Sequence, residues 1–227
     1  MINDLFNNRH KGEEMMYKII SGQYELGTED QQSEFKMLLG EDNIQYKFDL
    51  YFHWYNIVHE LGHCLVDSQQ INMSDVKEEM FVNEFAVAYW KYIGAEVQIN
   101  ELEDMLNRIH ANIESPVPYD IGLVEYYESI WKTEVIDNVM VYGYFQLISV
   151  LEALKVKKDF KTVLNSIGID LNSNIIMSKY EGAICAANAY KVLDNAVANI
   201  NELDINPIQV ILELVENPTI QCAQQCE

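Results

Sequence analysis

The stretch from Asp49 to Val66 constrains this chain more than any other part of it. Leu50, Trp54, Ile57, Val58, Leu61 and Leu65 recur near a 3.6-residue period, which predicts a helix. Tyr51, Phe52, Trp54 and Tyr55 add an aromatic run that reads as core. Inside this apolar helix stand His59, Glu60 and His63, flanked by Ile57, Val58, Leu61, Cys64 and Leu65. A helix so flanked is buried, and buried polar side chains need partners. The fold must therefore bring a polar or cationic counterpart to this one helix.

The rest of the chain reads as helical too. Four prolines and ten glycines in 227 residues are too few for an all-β domain, which needs a turn every ~8–12 residues. Glu29 to Leu39 is a helix stopped by Gly40, and Asp49 is a candidate N-cap for the long helix. Ser74 is placed to cap a helix that runs to about Ile93 and stops at Gly94, with Asp75, Glu78 and Glu79 in its first turns. Asn100 to Ile113 is another helix, and Ser115 to Gly122 is the clearest loop. Further helices are expected at 123–132, 134–155, 159–166, 173–199 and 206–216, the fourth of them packed closely through Ala183, Ala186, Ala187 and Ala189. Tyr17 to Leu26 and Ile44 to Phe48 are the candidate strands. With no repeat and no shift in composition, the expectation is one mainly α domain over residues 1–227, with at most a small β-sheet near the N-terminal third.

Lys and Arg number 15 against 36 Asp and Glu, a formal charge of −21. That disfavours nucleic acid, whose phosphates are bound by clustered Lys and Arg, and equally an anionic membrane surface. No run of 18 apolar residues suggests a membrane span, and the first residues lack the pattern of a signal peptide. Cys64, Cys185, Cys222 and Cys226 form no disulfide framework, so the expected setting is the cytoplasm with reduced thiols.

His59-Glu60-Leu61-Gly62-His63 is an HExxH pattern. Residues four apart on a helix lie about 40° apart in azimuth and about 6 Å apart along the axis, so two imidazoles at this spacing can converge on one ion. Glu60 then stands beside the metal as a base toward water, and Gly62 leaves room for another segment to pack closely. Ligand type favours zinc, which needs a third protein ligand if it is to be catalytic. The helix that begins near Ser74 offers Glu78, Glu79 and Glu84. Glu79 and Asn83 are four apart and share a face, so Glu79 can bind while Asn83 orients a ligand. Glu84 follows Asn83 as an Asn-Glu pair, whereas Glu78 has no partner of this kind.

HELGH followed by Glu79-Met80-Phe81-Val82-Asn83-Glu84-Phe85-Ala86 resembles the zincin-type metallopeptidases of the ImmA/IrrE class, with Val82 where that class usually has Ala. The likeness covers about residues 50–93. It implies a zincin-like helical domain, with His59, His63 and Glu79 as zinc ligands, Glu60 as general base and Asn83 behind the ligands. The substrate it implies is a peptide or protein.

An oxyanion donor is also required. Tyr142 and Gln146 share a face of the 134–155 helix and can line a cleft, and Gly143 between them suggests a close approach. Tyr142 is the candidate catalytic donor. His110 is a second possibility, while His53, about 120° round the helix from His59, reads as a satisfied interior histidine. The reading that follows is a zinc hydrolase cleaving peptide bonds, with basic substrates favoured by the charge. The competing reading is a catalytically inactive zincin-like protein that binds a partner or regulates one.

Overall fold

The computed structural model describes residues 16–135, 138–172 and 174–216. The Cys222–Cys226 pair lies outside the described residues. The described chain is mainly helical, with one two-stranded sheet. Strand β1 (Met16–Gly22) is followed by α1 (Glu29–Leu39), α2 (Ile44–Asp49), a π-helical turn at Leu50–Tyr55 and α3 (Asn56–Ser68). Then come α4 (Asp75–Tyr92), α5 (Glu96–His110), α6 (Leu123–Ile130), a second π-helical turn (Trp131–Val135), α7 (Val139–Val156) and α8 (Phe160–Ser166). Helix α9 (Ala189–Asn201) and strand β2 (Gln209–Val215) close the order. Among the described residues no helix is long and apolar enough to cross a membrane.

The stop signals act as their chemistry dictates. Gly40 and Gly94 follow α1 and α4 at φ of 79° and 83°, a conformation that glycine adopts without strain. Thr28 and Gln31 form a reciprocal capping box at the start of α1. Ser74 sits at the N-cap of α4, but its hydroxyl donates to Glu128 rather than accepting from the helix.

Four expectations are corrected. Ile44–Phe48 is not a strand: Ile44 and Phe48 sit four apart on α2, which runs on into the π turn and α3 as one helical stretch. Asp49 is accordingly no cap; it is buried inside that stretch. The partner of β1 is β2, which lies parallel to it in the register Tyr17 to Val210 and Ile19 to Leu212. The 206–216 helix is thus replaced by a strand, since Val210, Ile211, Leu212 and Val215 suit a half-buried pleat as well as a helix face. The 173–199 helix begins only near Ala189. Before it, the Asn199 side chain accepts from the Ser178 N–H at 2.7 Å and donates to the Ser178 carbonyl at 2.9 Å, so that backbone needs no helix to satisfy it.

Parallel strands need a long crossover, and here nearly the whole helical body lies between the two. Lys18 and Glu213 pair across the sheet. Tyr17 donates to Asp67 at the end of α3, 2.8 Å away. Helices α3 and α4 form the centre. Trp54, in the first π turn, stacks on Trp90 of α4 with ring centroids 4.0 Å apart, and both are buried. On its other sides α4 meets α7 and α8, with Phe85 and Tyr89 against Phe160. A second apolar cluster of Val76, Tyr127, Val135, Tyr144 and Phe145 joins α6 and α7 to the start of α4.

His53 is the satisfied interior histidine expected of it. One ring nitrogen meets Asp49 at 2.6 Å and the other meets the Gly22 carbonyl at 2.9 Å, while Gln45 donates to Asp49. This contact ties the end of β1 to the helix that leads into α3. Asp49→Ala strands a buried imidazole and is expected to destabilise the fold by about 1–3 kcal/mol, measured as a shift in urea midpoint.

Candidate metal centre

His59 and His63 lie one turn apart on α3, with ring centroids 5.0 Å apart. Across from them, in the second turn of α4, Glu79 presents Oε2 at 3.4 Å from His59 Nε2 and 3.7 Å from His63 Nε2. One ligand atom from each of the three side chains lies within 4.8 Å of the other two. Ligands held at about 2.0–2.1 Å round a tetrahedral zinc stand roughly 3.3–3.4 Å apart, close to the two carboxylate–imidazole distances here. The cluster is well covered: His59 is 3% exposed, Glu60 6% and Glu79 9%.

The helices can come this close because of Gly62. A Cβ there would meet Val82 Cβ at 3.0 Å and Phe85 Cδ1 at 3.2 Å. Val82 is the residue that departs from the Ala of the resembled pattern, and it fills the space against the glycine.

Each of the three side chains has a partner behind it. His59 Nδ1 lies 2.9 Å from Asn83 Oδ1, which also accepts from the Tyr55 hydroxyl at 2.9 Å. His63 Nδ1 lies 2.7 Å from Glu78 Oε1. Glu79 takes the Tyr142 hydroxyl on Oε1 at 3.2 Å and the Gln146 amide on Oε2 at 2.7 Å. Such contacts leave Nε2 of each histidine and Oε2 of Glu79 directed at a common point, as histidine metal sites require. Glu60, beside the cluster, accepts from Asn56 at 3.3 Å.

Electrostatics follow the same geometry. Burial alone would raise the Glu79 carboxyl, but His63 and His59 outweigh it and hold the group well below the usual carboxylate range. Burial likewise lowers the His63 imidazole, while Glu79, Glu78 and Glu60 more than reverse this and push it well above its ordinary value. Burial, reinforced by the charges of Glu79 and Glu60, pushes the Tyr142 phenol well up, and the Tyr51 phenol rises for the same reasons. Both phenols thus keep their protons beside two carboxylates.

The structure brings His59, Glu60, His63, Glu79, Asn83 and Tyr142 together. It does not bring Glu84, the alternative third ligand. That carboxylate lies on another face of α4 and pairs with Lys158 at 2.7 Å. His110 stands exposed at the end of α5, near the Tyr144 ring, and outside the cluster. A Cβ on Gly143 would find open space, so no close approach explains that glycine. Two contributors escaped the sequence reading. Glu78 has a partner after all, His63, reached only through tertiary packing. Tyr55 was read as core alone, although its spacing of four from His59 puts both on one face and was a usable signal.

No protein-family model, curated protein or solved structure matches this chain.

Gly62→Val is expected to cost about 1–3 kcal/mol, because Val82 and Phe85 are both buried and cannot yield without moving α4. Thermal unfolding measures this.

Proposed function

We propose that this protein is a zinc-dependent hydrolase, with peptide bonds as its substrate class. The observation that carries the reading is the convergence of His59, His63 and Glu79 with the Glu60 carboxylate beside them. The resemblance of HELGH and the following Glu-x-x-Val-Asn-Glu-Phe-Ala helix to the ImmA/IrrE class of metallopeptidases supports the same choice. Zinc held by those three side chains would supply Lewis acidity toward a carbonyl and lower the pKa of water toward about 7.

The chain's own residues then divide the work. Asn83 and Glu78 hold the two imidazoles in the tautomer that leaves Nε2 free to bind. Glu60 takes a proton from the attacking water and passes it to the departing amine. Tyr142 keeps its phenolic proton, which rests on Glu79 Oε1 and turns to the oxyanion as it develops. The charge of −21 draws basic peptides and repels acidic ones. The thiols of Cys64 and Cys185, unpaired with each other, support a cytoplasmic setting.

The slight exposure of His59, Glu60 and Glu79 favours one other reading, a zincin-like protein that binds a partner without cutting it. About one equivalent of zinc with no turnover on a mixed peptide library would select that second reading.

Protein purified without a histidine tag should take up about one zinc, by elemental analysis. His59→Ala and Glu79→Ala should each abolish uptake. Glu60→Gln should keep the metal and lose about 10²–10⁴-fold in hydrolysis rate; an unchanged rate overturns the mechanism. Lys- and Arg-containing peptides should be cleaved faster than acidic ones at low salt, with the advantage shrinking as salt rises. Equal rates at low salt remove the electrostatic preference.

A further inference from the structure

We infer that Gln146 is a positioning residue of the metal centre, fixing the Glu79 carboxylate relative to His59 through a chain of hydrogen bonds that passes by Asn83. The inference rests on the metal-binding reading above and extends it to α7, a helix that supplies no ligand.

The chain can be followed donor by donor. When Nε2 of His59 faces an ion, Nδ1 must carry the proton, so it donates to Asn83 Oδ1 at 2.9 Å. The Tyr55 hydroxyl donates to the same oxygen at 2.9 Å. Those two donors fix which end of the Asn83 amide is oxygen. The Asn83 nitrogen then donates to the Glu79 backbone carbonyl at 2.9 Å and to Gln146 Oε1 at 3.4 Å. Gln146 is thereby oriented in turn, with its nitrogen toward the carboxylate. That nitrogen has two protons and two acceptors, Glu79 Oε2 at 2.7 Å and the Tyr142 oxygen at 2.7 Å. Tyr142 spends its own proton on Glu79 Oε1 at 3.2 Å.

Every polar atom in this circuit has one consistent role. Glu79 Oε2 is the oxygen that faces both histidines, and Gln146 is the side chain that grips it. A glutamate on a helix has three rotatable side-chain torsions, so an ungripped carboxylate would sample orientations useless for binding. Gln146 removes that freedom before an ion arrives. A glutamine does so without adding charge: a lysine here would compete with the metal for Glu79, and a second carboxylate would repel it.

The test is metal binding by the full chain, with zinc and with cobalt as a spectroscopic probe. Gln146→Met keeps the length and helix preference of the side chain but removes the amide's donor and acceptor. Its dissociation constant for zinc should rise about 10-fold or more, and the visible bands of the cobalt-loaded protein should shift as the carboxylate reorients. The melting temperature of the metal-free protein checks the fold. Gln146→Ala, which opens space instead of filling it, serves if the methionine disturbs α7. Zinc affinity and cobalt bands that match wild type in a folded variant overturn the role of Gln146 and leave the metal centre standing. A wild-type protein that binds neither metal overturns both.

Discussion

The side-chain amide of Asn83 is the point on which this structure turns. It is fully buried, and a buried amide must have its hydrogen-bonding capacity met or it costs more than the packing around it returns. Its partners come from the first π turn through Tyr55, from α3 through His59, from α4 through the Glu79 carbonyl and from α7 through Gln146. Those segments cannot shift independently without breaking one of these bonds. The separation of α3 and α4 is set nearby by Gly62 against Val82 and Phe85, and the Trp54–Trp90 stack sets it again further along. Apolar packing thus fixes the distance between the two helices, and the amide fixes their register. Distance and register together determine where His59, His63 and Glu79 point.

What could be read in the sequence divides along the same line. His59, Glu60 and His63 are legible because helix geometry alone relates them, and α3 was bound to form from so regular an apolar run. Glu79 and Asn83 are legible for a similar reason, sharing a face at a spacing of four. Tyr142 and Gln146 were legible as neighbours on α7 but not as partners of Glu79, since nothing local states which face of α7 meets α4. Glu78 was read as having no partner, and its partner lies on another helix. The strand at Gln209–Val215 was misread because a short apolar run satisfies both periods. Its choice is made by β1, almost the whole chain away. The strand expected at Ile44–Phe48 erred in the opposite direction: so short a run is too brief to show a helical period, and only continuity with α3 makes the segment helical.

The acidity of the chain takes on a local meaning at this site. Glu60 and Glu79 are gathered in a nearly dry interior with the half-buried Glu78 close by, and there like charges repel far more strongly than on the surface. Without a cation, the His63 imidazole is the positive partner the geometry provides, and its upward push together with the downward push on Glu79 expresses that demand. A proton on His63 offsets one carboxylate, but it occupies the nitrogen that Glu79 faces. A divalent cation offsets more charge from the same position and leaves both imidazoles neutral, with Nδ1–H directed at Asn83 and Glu78. The acceptors behind the histidines thus suit the proposed cation in front of them. On the proposed function the surface surplus of negative charge would do separate work, acting over a Debye length to bias which peptides arrive, while the buried carboxylates would act on one that does.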